Sequence, residues 1–197
     1  MSALPELAFE STRTLTQEEF AAWVAARWRG DLNHYELLDG KVVMTPPAGY
    51  PQGAIAAALG GILEPFVRQR KLGKCFDSSQ GFELPSGDTV EPDYSFVSTE
   101  RWRAMPPPVE GRFLRVVPDL VVEILSPSTA ALDRGEKKDV YERNGVHEYW
   151  PIDPRARTLL IHTRQGDRFD TGRTFAEGQP FSSAVLAGLA FDVASVL

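Results

Sequence analysis

The residues best suited to chemistry are two acids, Asp119 and Glu123, inside the apolar stretch Val116–Pro127. Five of the nine residues from 116 to 124 are Val or Ile, and a Ser-Pro pair follows, which predicts a buried strand. Side chains alternate across a strand, so Asp119 and Glu123 share one face. A carboxylate inside a buried strand costs several kcal/mol unless a cation, a basic partner or a wet cleft compensates it. The source of that compensation is the main clue to function.

A third acid, Asp93, follows Pro92 in a segment predicted as a strand over 89–97. If this strand neighbours that of Glu123, the two carboxylates can converge on one point. Carboxylate oxygens are the ligands that Mg²⁺ prefers, and such an ion polarises a phosphodiester and lowers the pKa of a bound water. Mn²⁺ is the expected substitute. The alternative, in which Asp93 starts a turn and Glu123 pairs with an arginine, stays open at this point.

The helix predicted after the central strand carries Asp133, Lys137 and Tyr141 at spacings of four residues. These residues share one helix face, and the helix must pack back over the sheet, so Lys137 can reach the carboxylates. There it would orient water or neutralise charge on phosphate. The alternative is an ordinary Asp–Lys helix pair. Replacing Lys137 by Ala is expected to remove cleavage of the phosphodiester with little loss of fold. The adjacent residue, Lys138, should face solvent.

Other candidate groups are weaker. The three histidines lack metal-ligand spacing, and no phosphate-binding glycine loop or serine-nucleophile elbow is present. The basic residues of segment 68–74 lie at the end of the helix predicted at 52–71 and are expected to be a solvated helix end. Asp119 is expected to be a secondary or structural acid, acting as a cap or as the partner of an arginine.

The elements that position these residues follow from local patterns. Apolar spacing and turn signals predict an α/β (α+β) single domain over 1–197, with a mixed central sheet flanked by helices. The strand–helix–strand unit at 116–152 predicts a parallel crossover. The helices are predicted at 16–29, 52–71 and 130–143, and the hairpins at 35–44 and 146–163, with Asp39-Gly40 as the turn of the first.

The composition bounds the class of protein. The 197 residues suffice for one domain, and a single cysteine excludes an internal disulfide and suits a reducing cytoplasm. No signal-peptide pattern and no membrane-spanning run is seen, so no membrane partner is expected. The net charge of −6 disfavours nonspecific nucleic-acid binding by the whole surface, but it leaves a local basic groove open.

Several of these motifs together resemble a known family. Glu91-Pro-Asp93, the segment 118–129, the Asp133/Lys137/Tyr141 spacing and the segment 144–150 resemble the Uma-type family of predicted restriction endonucleases, within the PD-(D/E)XK nuclease superfamily. The resemblance runs from about residue 17 to the C-terminus. It implies an αβββαβ nuclease core and Mg²⁺-dependent cleavage of DNA, with a homodimer as an open possibility.

The resemblance assigns roles by position. It implies that Asp93 and Glu123 hold the metal and that Glu36 matches a further family acid. The superfamily lysine would stand at position 125, where this sequence has Leu125, and Lys137 is its natural substitute. The leading hypothesis is a DNA nuclease. The alternative is a non-catalytic nucleic-acid or protein-binding module that keeps the fold.

Overall fold

The computed structural model describes residues 9–10, 12–27, 31–179 and 181–197. The helices are α1 (Gln17–Ala25), α2 (Gln52–Arg70), α3 (Thr99–Ala104), α4 (Ala130–Leu132) and α5 (Lys138–Asn144), with a 3₁₀ turn at Val193–Ser195. The strands are β1 (Phe9–Glu10), β2 (His34–Leu38), β3 (Lys41–Thr45), β4 (Gly73–Asp77), β5 (Phe82–Glu83), β6 (Thr89–Val90), β7 (Tyr94–Ser98), β8 (Leu120–Ile124), β9 (Glu148–Asp153), β10 (Thr158–Gln165), β11 (Arg168–Phe169) and β12 (Arg173–Ala176).

The strands form two sheets. A seven-stranded sheet has the order β11-β10-β9-β8-β7-β4, with β12 also paired to β10. Within it β8 and β9 run parallel, which confirms the predicted crossover, and the other pairs are antiparallel. A five-stranded sheet has the order β1-β3-β2-β6-β5. The predicted N-terminal hairpin therefore does not stand alone, because two short strands from the middle of the chain extend it.

The predicted strand over 89–97 is divided between the two sheets. Thr89–Val90 pairs with the hairpin sheet, and Tyr94–Ser98 pairs with β8 in the larger sheet. Pro92 lies in the break, where its missing N–H removes no ladder hydrogen bond. Asp93 thus stands immediately before β7 and not in mid-strand as the sequence predicted.

The helical segment 130–144 lies where the sequence predicted it, but it is not regular. A π-helical turn, Asp133–Lys137, separates α4 from α5. Such turns are rare and are found most often at functional sites. Gly145, with φ of 83°, ends the segment in the left-handed conformation that glycine adopts readily. The irregular turn lies in the part of the segment that carries the candidate lysine.

Both faces of the larger sheet are covered. Helix α2 buries Ile55, Leu59, Leu63 and Val67 against one face. The α5 side of the sheet packs through another core that includes Tyr141. Helix α1 lies within the predicted segment 16–29 and begins after a Thr16 capping box. Positions 28 and 29 of the predicted helix lie outside the described residues. Among the described helices, none is long and apolar enough to cross a membrane.

Candidate active site

A buried cluster of one lysine and three acids lies between the two sheets. The Nζ atom of Lys137 is 2.6 Å from Oε1 of Glu123 and 2.9 Å from Oε1 of Glu36. Oδ1 of Asp133 is 3.9 Å from the same atom. Each of the four residues is at most 4% exposed. The cation that compensates the buried acid of the central strand is therefore Lys137.

Three elements bring these groups together. Strand β8 supplies Glu123, and the helical segment that returns over the sheet supplies Asp133 and Lys137. The Tyr141 hydroxyl donates to Oε1 of Glu123 at 2.5 Å, so all three predicted positions of this helix face the site. Tyr149, on the neighbouring strand, donates to the Asp133 carbonyl at 2.9 Å and supports the π-helical turn from below. The side chains are thus held between the strands of the larger sheet and the π-helical turn that packs on them.

Asp93 lies beside the cluster, at its more exposed side. Strands β7 and β8 are adjacent and antiparallel, and the pairing of Tyr94 with Val122 places Asp93 opposite Glu123. Its Oδ2 accepts a hydrogen bond from the Ile124 amide at 2.6 Å. The adjacency of the two strands is confirmed. That the two carboxylates share an ion stays a prediction.

Glu36 reaches the cluster from the other sheet. It lies on β2, and its Oε1 also accepts from the Glu91 amide at 2.9 Å. The Glu91 carboxylate in turn lies 3.1 Å from Nδ1 of His34. This hydrogen bond raises the pKa of His34, and the charges of Glu36 and Asp93 act in the same direction. Both sheets therefore contribute to one charged site.

His34 and Glu91 were not among the predicted site residues. Their signal in the sequence was weak, because His34 shows no metal-ligand spacing. The alternation of His34 with Glu36 on one strand face is the only local hint of its position. Their contact depends on the packing of β2 beside the Glu91–Asp93 break, across 57 residues of sequence.

Burial shifts the protonation of the acids. It raises the pKa of Glu123 well above the usual range, raises that of Asp133 to about 6 and raises that of Asp93. Burial alone would lower the pKa of Lys137, but the neighbouring carboxylates of Glu123 and Glu36 outweigh it, and the net shift is upward. One ammonium group therefore faces four acidic residues, and burial favours the neutral form of three of them, Glu123, Asp133 and Asp93.

The donor chemistry fits a divalent cation. Asp93 and Glu123 offer carboxylate oxygens from adjacent strands, and the excess acid favours a further positive charge. Within the described residues, no group of three or more His, Cys, Asp or Glu is arranged to enclose an ion. Mg²⁺ commonly keeps several waters, so two carboxylates suffice for the protein's share of its ligands.

Asp119 lies away from the cluster. Its Oδ2 accepts from the Ser98 amide at 2.6 Å, and its Oδ1 is 3.2 Å from Nε of Arg101 and 3.1 Å from Nδ1 of His147. It is therefore an arginine partner at the start of β8, two alternations from Glu123. The structure does not bring this predicted secondary residue to the site.

A large cavity lies elsewhere on the protein. It has a volume of about 1340 Å³ and lies between α1 and the connection 104–117, and none of the four clustered residues lines it. The charged cluster, and not the depth of a groove, marks the candidate site, because buried acids with shifted pKa values are what a catalytic or metal site requires.

The chain was compared with known proteins. The Uma2 family, described as "Putative restriction endonuclease", matches residues 17–194. A search of curated proteins gives no match. Among solved structures, a "putative nuclease belonging to DUF820" from Anabaena variabilis is similar with a TM-score of 0.73 and 19% identity, over 92% of this chain and 97% of that chain. This likeness shows a shared nuclease fold, and the match over nearly the whole sequence shows that the chain belongs to the Uma2 family.

Proposed function

We propose that this protein is a metal-dependent endonuclease that hydrolyses DNA phosphodiester bonds. The observation that carries the proposal is the contact of Lys137 with Glu123. The superfamily pattern places a lysine at position 125, where this chain has Leu125. Lys137 supplies that cation from a helix. The acid, the lysine and the neighbouring Asp93 together form the set of groups that such nucleases need.

The residues have distinct parts in this proposal. Asp93 and Glu123 hold the metal, and Glu36 keeps the Lys137 ammonium beside Glu123. Lys137 orients the attacking water and offsets charge that develops on the phosphate. Tyr141 fixes the direction of the Glu123 carboxylate through its hydrogen bond. Asp133 holds the lysine from one helical turn away.

Restriction-endonuclease-like enzymes generally use a divalent metal, and Mg²⁺ is the ion proposed here, with Mn²⁺ as a substitute. When bound, the ion would polarise the phosphodiester and lower the pKa of a bound water. The protein's own contribution is the placement of two carboxylates and one ammonium group around the point where the phosphate must lie.

The test is a cleavage assay on linear and supercoiled DNA with Mg²⁺, with Mn²⁺ and with a chelator. We expect cleavage that requires the metal and that is lost in Asp93→Asn and Glu123→Gln. Metal-independent cleavage, or equal activity in both variants and the parent, would contradict the proposal. Thermal unfolding of each variant, measured in parallel, separates loss of chemistry from loss of fold.

A second candidate function rests on a specific observation. The Lys137 ammonium is buried and already paired with two carboxylates, which describes a self-compensated site as well as a catalytic one. The chain would then be a nucleic-acid or protein-binding module. Binding of DNA without cleavage, under the metal concentrations of the same assay, would favour this candidate.

A further inference from the structure

Three exposed cations, Lys71, Lys74 and Arg103, lie where the end of α2, the start of β4 and α3 meet. We call this group the basic face. In the part of the chain that the structure describes, none of the three forms an ion pair. The chain as a whole carries a net charge of −6, so the basic face is a local group of positive charge on an acidic protein.

The three cations are held together by contacts between their elements. The Thr99 amide donates to the Leu72 carbonyl at 2.8 Å, and the Thr99 hydroxyl donates to the Lys71 carbonyl at 3.1 Å. The Lys74 ammonium lies 4.7 Å from the centre of the Trp102 ring, which fixes its direction. Arg103 follows Trp102 on the same short helix. The face is therefore built on ordered backbone.

The expectation of a solvated helix end accounts for only part of this face. A lysine at the end of α2 interacts favourably with the helix dipole, and that explains Lys71. Lys74 lies in β4 and Arg103 in α3, so the dipole of α2 does not explain them. Arg68 is left out of the face because Glu64 pairs with it. The exposed acid of α3, Glu100, leaves a net positive charge.

Lys74 of the basic face lies on the same side of the larger sheet as the candidate site, whereas Lys71 ends α2, which packs against the opposite face. Lys74 is the cross-strand partner of Val97, and Val97 and Asp93 share one face of β7 by alternation. Four residue steps separate Asp93 from Val97, which is about 13 Å at ~3.3 Å per residue. A DNA duplex advances ~3.4 Å per base pair, so this span corresponds to about four base pairs.

From this geometry we infer that Lys71, Lys74 and Arg103 bind backbone phosphates of duplex DNA, with Lys74 about four base pairs from the phosphate at the Lys137 cluster. The inference rests on the proposed function for its choice of partner. These contacts would be independent of base sequence, because phosphates carry no sequence information. They would set the register of the duplex over the site.

The experiment measures binding apart from chemistry. Affinity for a fluorescent duplex is followed over a series of salt concentrations without added metal. The variant is Lys71→Gln/Lys74→Gln/Arg103→Gln, and the control Arg155→Gln/Arg168→Gln/Arg173→Gln removes the same charge from exposed positions elsewhere. We expect the slope of log K against log salt to fall by about 2.7 in the variant, from ~0.9 per phosphate contact, and affinity to fall about tenfold or more at low salt.

Further outcomes decide the inference. The charge-keeping variant Lys71→Arg/Lys74→Arg/Arg103→Lys should retain the parent's slope. An unchanged slope in the glutamine variant, an equal drop in the control, or no binding of duplex by the parent would overturn the inference. A parent that binds duplex with this slope but cleaves nothing would leave the basic face standing and overturn the proposed nuclease, so the two failures are distinguishable.

Discussion

The ammonium group of Lys137 lies 2.6 Å from a carboxylate oxygen of Glu123, although one residue is on a helix and the other is on the strand before it. A lysine at position 125 would have pointed from the strand itself, but Leu125 stands there and is buried in the core. Transfer of the cation to the helix keeps the charge beside the acid. The contact therefore places a cation beside Glu123 without a lysine at position 125.

Replacement of Lys137 by alanine tests this directly. We expect the rate of DNA cleavage to fall about 10²–10³-fold, because one donor that stabilises charge is lost. The control is Lys138→Ala, which removes the adjacent, half-buried lysine outside the cluster. The free energy of unfolding of this variant should stay within about 0.5 kcal/mol of that of the parent. Single-turnover cleavage rates provide the measurement, and equal rates for Lys137→Ala and the parent would refute the transferred lysine.

The same variant should also lose stability, contrary to the expectation from sequence. Lys137 is almost fully buried between Glu36 and Glu123, so its removal leaves acids without their cation. Breaking a buried pair in this way typically costs about 3–5 kcal/mol. Denaturant unfolding at neutral pH should show the loss, and cleavage must be measured where the variant is still folded.

The sequence predicted most of the fold because its signals are local. Alternation and helical periodicity marked the main elements, and Asp39-Gly40, with positive φ at both residues, forms the predicted hairpin turn. The break before Asp93 and the division into two sheets were not predicted. The choice of sheet for a two-residue strand such as Thr89–Val90 depends on partners far away in sequence. No local pattern carries that information.

The candidate site shows the same division. Helical spacing was enough to place Lys137 and Tyr141 on the face toward Glu123. The π-helical turn was not predicted, since no residue type in the segment demands one. His34 was not predicted as a site residue. Its place in the site depends on its contact with Glu91, and the packing of segments far apart in the sequence creates that contact.

Replacement of Asp93 or Asp119 by asparagine, one at a time, distinguishes a proposed metal ligand from the partner of an arginine. Asp93→Asn should abolish metal-dependent cleavage. Asp119→Asn keeps an acceptor for the Ser98 amide and loses the charge that faces Arg101 and His147, so it should lower stability but retain activity per folded molecule. Cleavage rates normalised to the folded fraction provide the comparison. Higher activity in Asp93→Asn than in Asp119→Asn would show that the wrong Pro-Asp was assigned to the metal.

Removal of the tyrosine hydroxyl tests the orientation of Glu123. In Tyr141→Phe the ring stays in the core and only the hydrogen bond to Glu123 is lost. A hydrogen bond to a charged group contributes about 1.5–3 kcal/mol, so we expect cleavage to slow by about tenfold to a hundredfold. Tyr149→Phe, which leaves Glu123 untouched, is the control. Equal effects of the two substitutions would argue against a specific role for Tyr141.

The raised pKa of Asp133 predicts how stability changes with pH. Burial raises the pKa of this carboxyl from 3.8 to about 6 in the folded state. Between these two values the folded protein keeps a proton that the unfolded chain has released, so unfolding releases up to about one proton. The free energy of unfolding should therefore fall as pH rises through this window. Above about pH 6 this contribution is lost, because the carboxyl is then ionised in both states.

Urea unfolding at a series of pH values across this window measures the slope. In Asp133→Asn the slope should become shallower, although Glu123 and Asp93 keep part of it because burial raises the pKa of each in the same direction. Asp139→Asn, which changes an exposed acid on the same helical segment, should leave the slope as it is in the parent. A parent whose stability rises with pH between about 4 and 6 would mean that these acids are ionised in the folded protein.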